Sequence, residues 1–198
     1  MGIDQVGRRA VFLDRDGVIN HNWFNPATQE WESPVSPGDF RLRAGALKAI
    51  ARLQAAGYRL ILVSNQPSAA KGKCTIDDLK AVQDAFADLL AEAGIVFDEF
   101  NYAYSHPKAV VAGMTEPAHE RKPSSYFLER AIKRDGLEPA LSWMVGDRGT
   151  DIECGHRAGV QTVQVKGAEP DGKETSDVAP DHRADDLAGA VDIILGTG

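Results

Sequence analysis

The arrangement of apolar residues along the chain constrains its fold more than any other feature of the sequence. Short runs of consecutive apolar residues alternate with segments in which apolar residues recur at helical spacing. This alternation is typical of a parallel sheet covered by helices. The sequence therefore predicts a three-layer, Rossmann-like α/β domain spanning residues 1–198. The predicted strands are Ala10–Leu13, Leu60–Val63, Phe100–Tyr104, Trp143–Val145 and Thr162–Val165.

Several segments between these strands carry signals for helix ends. Thr75 and Asp78 have the spacing of a capping box at the start of a helix. Pro123 is a residue type favoured in the first turn, so a helix is expected to begin there. A closing helix is expected from Ala184 to Leu195.

Polar residues stand directly after three of the predicted strands. Asp14 and Asp16 follow the first, Ser64 and Asn65 follow the second, and Asp147 follows the fourth. Ligands of open parallel sheets bind at the carboxyl ends of the strands, so these side chains are expected to converge at one edge. In a phosphate site, one carboxylate can attack phosphorus and a neighbouring one can transfer protons. Taken by themselves, the first two aspartates are also consistent with a simple turn.

Paired carboxylates beside a phosphate need a cation, because like charges cannot otherwise remain close together. Asp147 and Asp151 would complete a set of hard oxygen ligands suited to Mg²⁺.

Charge and hydropathy exclude several classes of protein. The chain of 198 residues has a net charge of −7, which disfavours a general nucleic-acid partner. We expect no membrane span and no signal peptide, because the longest apolar runs are too short. Cys74 and Cys154 are expected to be unpaired thiols. Together these features predict a cytoplasmic protein, and we expect a monomer.

Four motifs, in their order along the chain, resemble those of the haloacid dehalogenase (HAD) superfamily. They are Asp14-Arg15-Asp16-Gly17-Val18, Ser64-Asn65, Lys122, and Gly146-Asp147 followed by Asp151. The resemblance implies a Mg²⁺-dependent phosphatase that works through an aspartyl-phosphate. The second aspartate of the first motif is typical of phosphatases and mutases, and the lack of a long cap segment favours a phosphatase.

The resemblance also implies a role for each catalytic residue. Asp14 would be the nucleophile, and Asp16 would protonate the leaving oxygen and later deprotonate the attacking water. Lys122 would offset charge on the phosphoryl oxygens and on Asp14.

The remaining motif residues would bind phosphate or metal. Ser64 and Asn65 would donate hydrogen bonds to the transferring group. The metal site would comprise Asp14, the backbone carbonyl of Asp16, and Asp147, with Asp151 orienting it.

Longer stretches resemble a capless subgroup that acts on heptose bisphosphate or histidinol phosphate. They are Asp14–Asn20, Ser64-Asn65-Gln66 with Lys71-Gly72-Lys73, and Arg121-Lys122-Pro123. The resemblance implies a small phosphorylated substrate, first of all D-glycero-D-manno-heptose 1,7-bisphosphate, with histidinol phosphate or another sugar phosphate as alternatives. Arg121 would contact a substrate phosphate or hydroxyl. Lys71 or Lys73 would meet a second anionic group, or would simply be solvated.

Two irregular segments are expected to shape the site. Residues 21–40 would form a loop or flap, and residues 105–121 a substrate-specificity loop. Relatives in this subgroup usually carry a zinc loop of three cysteines and one histidine, but residues 102–121 contain no cysteine. We therefore predict no zinc, and interpret His106 and His119 as loop residues. A mobile loop is predicted for Lys166–His182. A non-catalytic binding protein on the same fold remains the alternative from another class, although the aspartates and Lys122 are all present.

Overall fold

The computed structural model describes residues 8–116, 118–167 and 178–197, and a six-stranded sheet runs through this part of the chain. The sheet order is β5-β4-β1-β6-β7-β8, and every neighbouring pair is parallel. A separate antiparallel hairpin is formed by β2 and β3. The strands are β1 (Ala10–Leu13), β2 (Trp23–Asn25), β3 (Glu30–Glu32), β4 (Arg59–Asn65), β5 (Glu99–Ala103), β6 (Trp143–Gly146), β7 (Gln161–Val165) and β8 (His182–Ala184).

Helices cover both faces of this sheet, which confirms the three-layer α/β fold. The apolar faces of α1, α2 and α5 pack with Val11, Leu13 and Leu62 of the sheet. Those of α3 and α4 pack on the opposite face with Phe12 and Ile61. Successive residues of a strand point to opposite faces, so continuous apolar runs are buried on both sides. The helices are α1 (Ala46–Ala55), α2 (Ile76–Glu92), α3 (Tyr126–Asp135), α4 (Gly149–Ala158) and α5 (Leu187–Gly196).

The capping box predicted at the start of α2 is confirmed, whereas the predicted starts of α3 and α5 are wrong. The α2 box joins Thr75 to Asp78. Pro123 lies within a turn in which the Ser124 amide donates to the Arg121 carbonyl, and α3 begins only at Tyr126. Ala184 belongs to β8, and α5 begins after Asp186 caps it by accepting from the Gly189 amide.

The order of the strands brings the polar motifs together. Strand β1 lies between β4 and β6, so Asp14, Asn65 and Asp147 stand at neighbouring carboxyl ends. The Asp14 amide donates to the Val145 carbonyl at 3.0 Å, which ties the first motif to β6.

The segment of residues 21–40, which we call the flap, contains the β2–β3 hairpin. Much of the loop predicted for Lys166–His182 lies outside the described residues, as does the N-terminal segment before Arg8. Within the described ranges, no helix is at once long enough and apolar enough to cross a bilayer.

Candidate active site

Lys122 is the buried cation at the centre of the site. Its ammonium group donates to Asp14 Oδ1 at 2.7 Å and to the Val63 carbonyl at 2.7 Å, and it lies 2.7 Å from Asp151 Oδ1. An ammonium has three N–H donors, and these three oxygens account for all of them. Burial favours the neutral amine, but the carboxylates of Asp14 and Asp151 outweigh it and raise the pKa of Lys122. Lys122 is therefore a fixed positive charge against Asp14.

Asn65 fixes the backbone of Lys122. Its Oδ1 accepts from the Lys122 amide at 3.0 Å, and its Nδ2 donates to the Lys122 carbonyl at 3.1 Å. Because Asn65 ends β4, this pair of hydrogen bonds sets the height of Lys122 relative to the sheet. Asn65 also lines the site cavity.

Three carboxylates converge beside Lys122. Oxygen atoms of Asp14, Asp147 and Asp151 all lie within 4.8 Å of one another. Asp151 also accepts from the Arg148 amide at 3.0 Å, which holds it at the start of α4. Oxygen atoms in this number and at this spacing are suited to a hard dication such as Mg²⁺.

The charge of Lys122 does not fully offset the burial and mutual repulsion of these three carboxylates. Burial raises the pKa of Asp14 to about 6, against the lowering effect of Lys122 and together with the charges of Asp151 and Asp16. Burial, with the charges of Asp14 and Asp151, raises the pKa of Asp147 well above its usual value. Asp147 Oδ1 is buried and accepts no hydrogen bond from the described residues. A buried acceptor without a donor fits a metal ligand, so the residues present fit Mg²⁺.

Gly17 makes room for Asp147. Its φ of +85° lies in the left-handed region, which favours glycine, and a Cβ built there would overlap the Asp147 carboxylate. The glycine of the first motif is thus needed both for the turn and for the space that Asp147 occupies.

Asp16 is held by donors rather than grouped with the other three acids. Oδ1 accepts from Arg15 Nη2 at 2.9 Å and from Asn20 Nδ2 at 2.9 Å, and Oδ2 accepts from Gln66 Nε2 at 2.6 Å. Burial raises the pKa of Asp16. The opposing effects are larger, so the net shift of this pKa is downward; they come from the Arg15 charge and from hydrogen bonds donated by Asn20, Gln66 and Ser33. The site without substrate therefore holds Asp16 as a carboxylate. These distances concern its side chain and do not bear on the metal contact expected of its backbone carbonyl.

Asp14, Asp16, Asn65, Lys122 and Asp151 line a cavity of about 400 Å³, whereas Asp147 is not among its lining residues. The flap supplies part of its wall through Trp31, Glu32 and Ser33, and Trp31 packs edge-on against Phe24 with ring centroids 5.5 Å apart. The sequence indicated a flap here but did not indicate which side chains face the site. Further lining residues are Lys71, Lys73, His106, Arg121, Arg148 and Thr150.

The candidate residues do not all face this cavity. Arg121 lies on its wall. Ser64 is buried, accepts from Gln66 Nε2 at 3.0 Å, and is not among the lining residues. Lys73 pairs with Glu32 of the flap, so its charge is already engaged. His119 packs edge-on against Tyr126 with centroids 4.6 Å apart.

Comparison with known proteins agrees with this geometry. The HAD-hydrolase-like family model matches residues 119–190. The D-glycero-D-manno-heptose-1,7-bisphosphate 7-phosphatase of Chlorobaculum tepidum is 35% identical over 190 residues, which cover 92% of each chain. The D-glycero-beta-D-manno-heptose-1,7-bisphosphate 7-phosphatase of Pasteurella multocida is 32% identical over 90% of this chain and 94% of its own. The chain belongs to the HAD-like phosphatases.

A solved structure shows the same fold for a member of this phosphatase family with bound ligands. The D,D-heptose 1,7-bisphosphate phosphatase from B. bronchiseptica, complexed with magnesium and phosphate, aligns with a TM-score of 0.78 and 25% identity. The alignment covers 96% of this chain and 99% of that one. The acidic cluster of this HAD-like phosphatase thus occurs on a fold that binds magnesium and phosphate in a relative.

Proposed function

We propose that this phosphatase removes the 7-phosphate of D-glycero-D-manno-heptose 1,7-bisphosphate in a Mg²⁺-dependent reaction through an aspartyl-phosphate on Asp14. The observation that carries the chemistry is the group of Asp14, Asp147 and Asp151, two of which pair with the buried Lys122. The substrate is inferred from the relatives of Chlorobaculum tepidum and Pasteurella multocida, which match nearly the whole chain.

In the first step, an Asp14 carboxylate oxygen attacks phosphorus and the bond from phosphorus to the sugar oxygen breaks. Lys122 holds Asp14 in place and neutralises part of the charge that collects there. Asp16 gives a proton to the departing sugar oxygen. A bound phosphate adds negative charge beside Asp16, which favours the protonated carboxyl that this step requires.

In the second step, water attacks the phosphorus atom of the aspartyl-phosphate. Asp16 takes a proton from this water, the bond from Asp14 to phosphorus breaks, and inorganic phosphate leaves. Asp14, Asp147 and the backbone carbonyl of Asp16 would hold Mg²⁺, with Asp151 orienting them. When bound, Mg²⁺ supplies positive charge that stabilises the phosphoryl oxygens.

Binding of the substrate involves the cavity wall. Asn65 would donate to the transferring phosphoryl group, as would Ser64 after a local shift, because Ser64 now contacts Gln66. Arg121 and Lys71 would meet the sugar hydroxyls or the second phosphate, since both line the cavity. The flap and residues 105–121 would select the substrate. We also propose that the protein acts as a monomer on this small substrate, without zinc, nucleic acid or a membrane, in the cytoplasm.

The direct test is Mg²⁺-dependent phosphate release across a panel of phosphorylated metabolites. The panel contains both anomers of heptose bisphosphate, because curated relatives include enzymes named for the β and for the α form. Histidinol phosphate and other sugar phosphates serve as competitors. We expect the highest kcat/KM with a heptose bisphosphate and no release with chelator. Preference for histidinol phosphate would refute the substrate assignment, and inactivity on every compound would favour a binding protein.

A further inference from the structure

Gln66 occupies a rigid position directly behind the site. Its backbone N–H donates to the Ala103 carbonyl at 2.8 Å, which extends the β4–β5 ladder by one residue. Its side chain is fully buried. A residue fixed at its backbone and enclosed at its side chain has few conformations available, so its polar contacts are strongly oriented.

The contacts of Gln66 are directed at Asp16. Nε2 donates to Asp16 Oδ2 at 2.6 Å and to Ser64 Oγ at 3.0 Å, and these two bonds use both of its hydrogens. Oε1 has no hydrogen-bond partner in the described parts of the chain. Rotating the amide by half a turn would place Oε1 against the Asp16 carboxylate, so the observed orientation is the favourable one.

Asp16 is held from a second direction by the first motif. Arg15 Nε and Nη2 lie 3.1 and 2.9 Å from Oδ1, and Asn20 Nδ2 lies 2.9 Å from the same oxygen. Gln66 contacts the other oxygen, Oδ2. Asp16 and Ser33 line the cavity, whereas Arg15, Asn20 and Gln66 do not. The Asp16 carboxylate thus lines the cavity, while Arg15, Asn20 and Gln66, which lie outside the cavity lining, hold it by hydrogen bonds.

We propose that Gln66 is a positioning residue that orients Asp16 for proton transfer to the sugar oxygen and from the attacking water. This inference rests on the proposed function, since it assumes that Asp16 transfers those protons. Gln66 itself touches neither substrate nor phosphorus in this scheme. Its hydrogen bond fixes the plane of the Asp16 carboxyl group, and proton transfer depends on that geometry.

The proposal makes a prediction that depends on the leaving group. An alkoxide is a poor leaving group and needs a proton as it departs, whereas p-nitrophenolate leaves without one. We would measure kcat/KM for a simple alkyl phosphate and for p-nitrophenyl phosphate. For each substrate, kcat/KM reports only the steps up to the release of the alcohol or phenol. Slow hydrolysis of the aspartyl-phosphate therefore does not affect kcat/KM.

The test variant is Gln66→Met, which keeps the length of the side chain but removes the N–H donors. We expect kcat/KM for the alkyl phosphate to fall by about 30-fold, a part of the roughly 10²- to 10⁴-fold that general acid–base catalysis contributes. The kcat/KM for p-nitrophenyl phosphate should change by less than about threefold, because p-nitrophenolate leaves without a proton from Asp16. Gln66→Asn is the second variant, since its shorter amide preserves polarity but cannot reach Asp16.

The matched control is Gln54→Met. Gln54 donates to the Gly94 carbonyl at 3.1 Å and accepts from the Val96 amide at 2.7 Å, away from the cavity. Its loss should lower stability without changing the ratio between the two substrates. Equal losses on both substrates in the Gln66 variants, or no loss, would overturn the proposal. Neither test compound is a heptose, so failure of the heptose assignment would be seen separately, as a wild-type enzyme that is active here and inactive on the bisphosphate.

Discussion

The acidic residues of the site are placed where they repel one another unless a cation lies between them. Burial, not pairing, is the first cause of the raised pKa of Asp14 and of Asp147, and Lys122 only partly opposes it. Residues around the cluster are therefore expected to control metal affinity even when they are not ligands themselves.

Gly17→Ala tests this at a single atom. The added methyl group would displace the Asp147 carboxylate. We therefore expect the Mg²⁺ concentration for half-maximal activity to rise about tenfold or more, which is the usual effect of mutating residues that orient metal ligands. The positive φ adds about 1 kcal/mol of strain to the folded state. Magnesium titration of activity and thermal unfolding measure the two effects.

Gly94→Ala separates strain from displacement. Gly94 also has a positive φ, +67°, but a Cβ there would meet nothing within 4 Å. This variant should lose similar stability and keep its Mg²⁺ dependence. An unchanged Mg²⁺ requirement in Gly17→Ala would contradict the role given to Asp147.

The sequence predicted which acidic residues lie together, but not which polar side chains hydrogen-bond to Lys122 and to Asp16. Asp14 and Asp147 could be placed together because both follow strands of one parallel sheet. The contact of Asn65 with the backbone of Lys122 depends on the depth of packing between β4 and the loop before α3. The contact of Gln66 with Asp16 depends on the depth of packing between the end of β4 and the loop after β1. Spacing along the chain does not encode this depth.

At the scale of elements, the flap is joined to the sheet by a partly buried ion pair. Lys73, in the loop after β4, lies against the Glu32 carboxylate, which also accepts from Thr28 at 2.7 Å. Burial raises the pKa of Glu32, but hydrogen bonds from Lys73, Thr28 and Asn25 outweigh it and lower the pKa overall. Glu32 and Lys73 both line the cavity, so their pairing sets the position of one wall.

Breaking this pair should weaken substrate binding more than chemistry. We expect Lys73→Met and Glu32→Gln each to raise KM for the heptose bisphosphate by roughly fivefold, within the range for coupled neighbours. The double variant should be within about twofold of the single variants, because both lose the same contact. Steady-state kinetics of all three checks this.

Lys80→Met is the control for the flap variants. It removes a lysine that pairs with Asp77 on the exposed surface of α2 and does not line the cavity. We expect an unchanged KM. Fully additive effects of the two flap substitutions would show that the pair does not act as a unit.

The elements that sequence missed lack the apolar runs of buried strands. Strand β8 is short and polar, and it exists because Arg183 and Ala184 pair with β7. The β2–β3 hairpin pairs with itself, and each of its residues is either charged or not fully buried, so it lacks the apolar run of a buried strand. The central strands β1, β4 and β6 were predictable because their apolar runs are buried on both faces of the sheet.

At the scale of the whole molecule, stability should depend jointly on pH and Mg²⁺. A carboxyl whose pKa is raised by folding stabilises the folded state at low pH, and this contribution is lost as pH rises through the raised value. For Asp14 that value is about 6, and Asp147 shifts in the same direction. Mg²⁺ should replace the lost protons, so its stabilising effect should grow as pH rises through 6.

Thermal unfolding with and without Mg²⁺ measures this linkage. At about 100 times its Kd, a ligand adds about 2.7 kcal/mol to the free energy of unfolding, or roughly 5–10 °C in Tm for a chain of this size. We expect that increment near pH 7.5 and a much smaller one near pH 5. Comparing increments cancels the opposite trend from Asp16 and Glu32, whose pKa values are lowered. An increment that does not change with pH would contradict the linkage.

The fold was thus accessible from the pattern of the sequence, and the chemistry and leading substrate from its resemblance to a known subgroup. The side chains that the flap and residues 105–121 contribute to the cavity wall were not, because these segments have no regular apolar pattern. The most direct test is ³¹P NMR of heptose 1,7-bisphosphate hydrolysis by the wild type and by Asp14→Asn. The account predicts Mg²⁺-dependent loss of the C7 phosphate, with heptose 1-phosphate as product. In the folded Asp14→Asn variant, turnover should fall by roughly 10⁴-fold or more. Release of the C1 phosphate, or substantial turnover by Asp14→Asn, would contradict it.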